Sequence, residues 1–367
     1  MKKFICAAIV ISITTITSLK SIAQGCVAIR GNGATCALQH PDSVESSKWT
    51  FGTNYRYFKS FRHYKGKDEQ YERLEQHTEV INYSTAVDLT LAHNLGNRWS
   101  VMIDVPVLSN ARSSLYEHGL VNGAYIKKER HTMHSYGLGD IRIAAYRWML
   151  DPAKSKKFNF QLGLGIKFAS GQYDYEDYWY NVGPDTTKQL RTVDQSIQLG
   201  DGGTGITFEL NTFYNIAKNL NFYGNFYYLS NPREQNGVRT YRETLSPSLY
   251  NEDIMSVPDQ YMARFGFNYS LKGVQVGAGL RWEGIPVYDL IGGSGYFRRP
   301  GYVMSIDPAV SYNFKKVNIY AAVPVALVRN RTQSVTDKEY SQKFNTFKQG
   351  DAAFSDYTIN VGVAFKF

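Results

Sequence analysis

Phe158-Asn159-Phe160-Gln161-Leu162-Gly163-Leu164-Gly165-Ile166-Lys167-Phe168 is the stretch that decides the fold. Its even positions read Phe, Phe, Leu, Leu, Ile, Phe, and its odd positions read Asn, Gln, Gly, Gly, Lys. A period of two with one wet face means a β-strand. The same alternation recurs far from this stretch. Ile81, Tyr83, Thr85, Val87, Leu89 and Leu91 oppose Asn82, Ser84, Ala86, Asp88 and Thr90. At the other end, Tyr357, Ile359, Val361, Val363, Phe365 and Phe367 oppose Thr358, Asn360, Gly362, Ala364 and Lys366.

About twelve such segments follow one another, near 49–59, 78–92, 98–108, 135–149, 157–169, 203–216, 220–230, 260–271, 273–284, 300–313, 317–329 and 353–367. The connections alternate in length. Short ones fall at 94–97, 150–156, 217–219, 272 and 315–316, and long polar ones at 60–77, 109–134, 170–202, 231–259, 285–299 and 330–352. A soluble sandwich has no reason to place every long loop on one side. An outer-membrane barrel does, with short periplasmic turns, long external loops and an even strand number. An open sheet edge cannot sit in lipid, so the strands must close on themselves. The sequence therefore predicts an all-β, transmembrane, antiparallel up-and-down barrel over 49–367, in the cell outer membrane of a Gram-negative bacterium.

Composition agrees. The 367 residues are 43% hydrophobic and 14% aromatic, with 28 Tyr, 20 Phe, 5 Trp and 31 Gly. A mean hydropathy of −0.36 excludes a bundle of membrane helices, and the aromatic content excludes wholesale disorder. The apolar faces carry Trp49, Trp99, Tyr214, Tyr269, Trp282 and Tyr312 near segment ends, where interfacial belts lie. The polar faces carry charge inside the strands: Arg56, Asp88, Asp104, Asp140, Arg142, Lys167, Glu209, Arg264, Arg281, Glu283 and Asp307. Six acids and five bases cannot face lipid cheaply, so they are expected to line the lumen and pair across it. Asp140 and Arg142 share a face and are expected to pair with each other. Inward glycines (Gly163, Gly165, Gly277, Gly279) are expected to leave space in the lumen.

Residues 1–23 read as a signal peptide, with Lys2 and Lys3 before an apolar core and Ser21-Ile22-Ala23 at the cleavage site. The rival reading ends a lipobox at Cys26. Loss of Lys2, Lys3 and Lys20 lowers the formal charge from +9 to +6. No dense basic run or nucleic-acid motif accompanies that excess, so no nucleic-acid partner is expected. Cys26 and Cys36, in the periplasmic segment 24–48, are expected to form a disulfide, with metal binding as the alternative. The end at Phe367 looks like the signal that outer-membrane assembly machinery reads.

Ser135-Tyr-Gly-Leu-Gly-Asp-Ile-Arg-Ile-Ala-Ala-Tyr146, then a turn and Gln161-Leu-Gly-Leu-Gly-Ile-Lys-Phe-Ala-Ser-Gly171, resembles a family of outer-membrane barrels described as transporter-like proteins of the phenol-degradation meta-pathway. Gly137, Gly139, Asp140 and Tyr146 match that pattern, whereas Ala169-Ser170-Gly171 lacks its Pro. Val105-Pro106-Val107 and Leu199-Gly200-Asp201-Gly202-Gly203 fit the same layout, so the resemblance spans about 90–280. It implies a barrel that passes small, aromatic or hydrophobic compounds across the outer membrane. Its partners would be outer-membrane lipids, the assembly machinery and a small solute.

Gly137-x-Gly139-Asp140 lacks the strand–turn–helix context of a phosphate cradle, so a strand bend is the expected role. A barrel-embedded lipid hydrolase would need a Ser and His brought together. His134 and Ser135 are the tempting pair, but neighbours on a strand point to opposite faces. His131 and His134 together offer a poor metal site, and neither a metal nor a cofactor is expected. The aromatic loop run Tyr173–Tyr180 would either capture a ligand at the pore mouth or pack against neighbouring loops. Arg112, Lys127, Lys128, Arg130, Arg298 and Arg299 are expected to meet lipid anions or solvent. Movement of a small compound through the lumen is the expected function. A lipid-modifying enzyme and a structural or adhesive barrel are the alternatives.

Overall fold

The computed structural model describes residues 48–115, 120–121, 124–125, 129–182, 187–240 and 245–367. The leader 1–23, the Cys26–Cys36 pair and Lys127 and Lys128 lie outside the described residues. Twelve antiparallel strands form the wall. They are β1 (Trp49–Lys65), β2 (Ile81–Gly96), β3 (Trp99–Ser114), β4 (His131–Leu138 and Arg142–Trp148), β5 (Phe158–Lys167) and β6 (Gly205–Ala217). Then come β7 (Leu220–Ser230), β8 (Gln260–Leu271), β9 (Val274–Ile285), β10 (Gly301–Ile306 and Ala309–Phe314), β11 (Val317–Ala322 and Val325–Arg331) and β12 (Ala352–Lys366). β1 pairs with β12 from Thr50↔Lys366 to Tyr64↔Ala352, which closes the barrel and leaves no sheet edge to lipid.

Alternation sets the faces as the sequence predicts. Leu164, Phe267 and Val276 are exposed on the outside, while Asn159, Asn268 and Gln275 on the same strands are buried inside. Trp49, Trp99, Tyr214, Tyr269 and Tyr312 are exposed at the membrane-facing rims. Trp282 is half-buried between the rings of Tyr261 and Tyr302. No helix among the described residues is long and apolar enough to cross a membrane.

Tight turns join the strands at one end. Asn97 and Arg98 have φ of 49° and 72°, and Lys272 and Gly273 have 49° and 86°, the left-handed pair that matches hairpin twist. At the other end β1 and β3 run to Lys65 and Ser114, beyond the apolar alternation. Continued backbone pairing, rather than an apolar face, sets where those strands stop.

Three strands break near a proline. The β4 break, residues 139–141, lies opposite Val105-Pro106, and Pro106 has no N–H to give the ladder. The other breaks contain Asp307-Pro308 in β10 and Val323-Pro324 in β11. Among the described residues two α-helices occur in the long loops, α1 (Tyr71–Glu75) and α2 (Val335–Phe344), the latter held by a Ser334/Asp337 capping box.

Candidate functional site

All eleven charged positions read from the strands point into the barrel. Ten are buried, and the Asp140 side chain is only 8% exposed. They fall into local ion pairs. Arg281 Nε and Nη2 donate to both Glu283 oxygens at 2.9 and 2.7 Å. Arg264 Nε donates to Asp307 at 2.5 Å, and Arg56 lies 3.8 Å from Asp88. Arg142 binds Glu209, which also accepts from the Tyr146 hydroxyl at 2.8 Å, and lies 3.7 Å from Asp104. The expected Asp140–Arg142 pair does not form. Asp140 sits in the β4 break, where the bend turns its carboxylate toward Lys167 at 3.1 Å instead.

That break is where the glycine motifs meet. Gly139 N–H donates to Pro106 O at 2.8 Å. Ile141 N–H donates to the Ser170 hydroxyl, which itself donates to Gly139 O. Asp140 Oδ1 accepts the Gly171 N–H at 2.9 Å, and Oδ2 accepts the Asp201 N–H at 3.2 Å. Gly171 and Asp201 stand near the two ends of the long loop 168–204, so one carboxylate clamps both. Glycine is required here by close approach: a Cβ on Gly200 would lie 2.6 Å from Asp140 Oδ1 and from Gly171 O. The inward glycines also behave differently from expectation. They leave no open space, because Tyr146 packs on Gly163 and Asn268 on Gly277.

From this clamp the loop turns into the barrel. Glu176–Trp179 pairs with Gln189–Thr192 as a hairpin, and a single helical turn, Gln195–Ile197, follows. Trp179, Met133, Val193 and Ile197 form a buried cluster, with Tyr175 against it. Tyr180 stacks on His131 with ring centroids 4.2 Å apart. The aromatic run therefore packs against neighbouring segments. Ser135 donates to Ile197 O and is buried, whereas the His134 side chain is 64% exposed. The two lie on opposite faces of the wall and form no dyad.

Asp194 anchors the loop. It accepts both Arg299 Nη groups at 2.8 and 2.7 Å and lies 3.5 Å from Arg112 of β3. Burial alone would raise its carboxyl. Arg112, Arg299 and the Ser196 N–H outweigh burial and hold it well below the usual carboxylate range. Arg112 and Arg299 thus do not meet lipid or solvent as the sequence suggested, and Arg298 is buried against Asp289 at 2.7 Å. Arg130 likewise binds Glu79 and three backbone carbonyls. The loops fold over the lumen, so these bases serve buried acids. Among the described residues no group of three or more His, Cys, Asp or Glu could hold a metal.

Beneath the loop lies a cavity of about 170 Å³. Leu108, Leu199, Leu229, Met255 and Ile285 give it an apolar side, and Arg142, Lys167 and Arg299 are among its charged lining. Gln195 caps it, donating to Ser256 O at 2.9 Å. Asp194, Asp201, Gln195 and Leu199 are loop residues that strand periodicity has no means of finding. The Gly200-Asp201-Gly202-Gly203 run was the one signal of their location.

No protein-family model matches the sequence, and no curated protein matches it. Among solved structures, an outer-membrane channel from Pseudomonas putida F1 aligns with a TM-score of 0.52 and 12% identity, over 89% of this chain and 97% of that one. A Pseudomonas aeruginosa FadL homologue aligns at 0.43 and 7%, over 94% and 96%. The Ralstonia pickettii toluene transporter TbuX aligns at 0.43 and 10%, over 94% and 97%. At such identities the likeness is one of fold: that of an outer-membrane β-barrel.

Proposed function

We propose that the barrel is an outer-membrane channel for a small compound whose body is apolar or aromatic and about one ring in size. The observation that carries this reading is the cavity of about 170 Å³ between the wall and loop 168–204. An apolar protein cavity of about 150 Å³ holds one benzene. One side of this cavity is apolar, so a ring loses its hydration shell there at little cost. The charged side is already neutralised by local pairs, which suits an uncharged or weakly polar solute better than an ion.

The resemblance to the phenol-degradation meta-pathway transporter-like barrels points the same way. Of the residues that carry it, Gly139, Asp140, Gly171, Gly200 and Asp201 come together at the clamp that holds the loop, while Tyr146 lies apart on Glu209 and Gly163. They act on the path through the lumen, and no covalent step is assigned to them.

Flux of a one-ring aromatic solute into vesicles containing the folded protein tests the reading. Vesicles with the native barrel are expected to fill faster than empty ones, and Leu229→Trp, which fills the cavity, is expected to slow filling at least about tenfold. Overpacking of this kind costs about 1–3 kcal/mol, so heat-dependent gel mobility checks that the variant is folded. Equal filling with and without the protein overturns the proposal.

A further inference from the structure

We propose that the outer half of the wall opens sideways between β11 and β12, as a door for the solute between the lumen and the outer face of the membrane. The inference rests on the channel reading and goes beyond it by assigning the route.

The first observation is a gap in the ladder. The lower part of β11 pairs with β12 from Val317↔Phe365 to Ala322↔Asn360. The upper part, Val325–Arg331, pairs with β12 at Val325↔Tyr357 alone. Its other edge is laddered to the upper part of β10, from Ile306↔Val325 to Gly301↔Arg331. β12 meanwhile stays paired with β1 as far as Tyr64↔Ala352. The next backbone tie lies above the gap, where Gly66 and Arg331 exchange N–H···O bonds of 2.7 and 2.8 Å.

Side chains close the seam between those two ties. Arg329 Nε donates to Ser355 O at 3.0 Å and Arg329 Nη2 to Asp356 at 2.5 Å. The same guanidinium lies 5.7 Å from the Tyr64 ring centroid, and Tyr64 meets Phe354 edge to face, with Val303 against them. The Asp356 side chain is 35% exposed, so water reaches the latch.

The second observation is a hinge. The breaks at Asp307-Pro308 in β10 and Val323-Pro324 in β11 face each other, with Val323 N–H donating to Pro308 O at 3.0 Å. Neither proline has an N–H for the ladder. Above the breaks, Gly301–Ile306 and Val325–Arg331 form a ribbon. Among the described residues, β9 alone holds that ribbon along a full edge, from Leu280↔Ile306 to Ile285↔Gly301. A ribbon fixed along one edge and interrupted at its foot swings as a unit, with β11 as its free edge.

The third is height. Tyr302 of the ribbon lies edge-on to Trp282, and Tyr357 at the foot of the seam is exposed, so the seam stands at the outer aromatic belt. Headgroups and water there can take up freed N–H and C=O groups, which the hydrocarbon core would leave unsatisfied. Val325 and Leu327 give the ribbon an exposed apolar outer surface. On the inside, the door adjoins the solute cavity. Phe58 of the cavity lining pairs with Thr358 beside Tyr357, and Arg299 of the lining stands two residues before the ribbon.

The test uses the folded chain in vesicles, with Cys26→Ser, Cys36→Ser, Leu327→Cys and Ser355→Cys, so that spin labels straddle the seam. Two label separations are expected, a dominant short one and a minor long one. Arg329→Ala is expected to raise the long population about fivefold, the equivalent of one partly exposed ion pair. Asp356→Asn, made in parallel in case Arg329→Ala fails to assemble, is expected to raise it about twofold. A single short separation in the parent and in both variants overturns the proposal. The same thiol pair, joined by a short reducible cross-linker, is expected to slow filling by a one-ring aromatic compound at least about tenfold, with recovery on reduction. Undiminished filling by the joined protein also overturns the proposal. Native protein that fills vesicles no faster than none would sink the channel reading instead, and the label separations would still decide whether the door opens.

Discussion

The outer and periplasmic halves of the lumen are built on the same alternating strands and filled with different chemistry. Toward the outside, the inward face carries ion pairs, Arg281–Glu283, Arg142–Glu209 and Lys167–Asp140, and loop 168–204 is tied to the last of them through Gly171 and Asp201. Toward the periplasm it carries amides. Asn225 donates to Asn211 at 3.0 Å, Asn211 to Gln161 at 3.2 Å, and Asn268 to Asn221 at 3.3 Å. Charges that pair across a wall hold a loop in one place, because breaking a buried pair costs about 3–5 kcal/mol. Neutral amide bonds are worth about 1 kcal/mol each and leave the passage easier to reshape. On the proposed channel reading, the difference assigns control of the path to the outer half, at the loop.

The sharpest way to break that comparison is to remove the loop. Replacing 173–197 by a short Gly/Ser link, which keeps Gly171 and Asp201 on Asp140, is expected to raise single-channel conductance severalfold while the wall stays folded. Next comes Asp194→Ala, which takes away the acid shared by Arg112 and Arg299. It is expected to weaken loop docking by about 3–5 kcal/mol, seen as faster proteolysis between Tyr173 and Gln198. Asp140→Asn keeps an acceptor for the Gly171 N–H but loses the charge facing Lys167. Its expected cost is about 1–3 kcal/mol in the same assay.

Acid probes the same anchor. A carboxyl depressed by docking contributes stability above its ordinary pKa of about 4, and that stability is lost as pH falls through the lowered value. Loop protection is therefore expected to stay flat from about pH 8 to 5 and to fail only below about 4. Failure already near pH 6 would assign the anchor to another group. The smallest effect is expected in the periplasmic half, where Asn211→Ala should cost about 1 kcal/mol or less and leave conductance unchanged.

The wall was legible because its signal is local. Alternation along Phe158–Lys167 or Ile81–Leu91 needs only neighbours in sequence, and all twelve expected strands are present. Pairing partners were less legible. Asp140 and Arg142 share a face in the sequence, yet the break between Leu138 and Arg142 sends them to different partners. The loop's inward fold was not legible. Asp194 lies 105 residues from Arg299, and each looks alone like an ordinary surface charge. Gly171 and Gly200 announced tight packing without saying against what, since the carboxylate they approach belongs to a strand 31 residues before Gly171.

Planar-bilayer conductance of the native barrel beside the 173–197 replacement, each with and without a one-ring aromatic compound, tests the central claim most directly. The account predicts a small native conductance that the compound reduces, and a larger conductance without the loop that it no longer affects. Equal conductance in the two proteins, with the compound acting on neither, would contradict it.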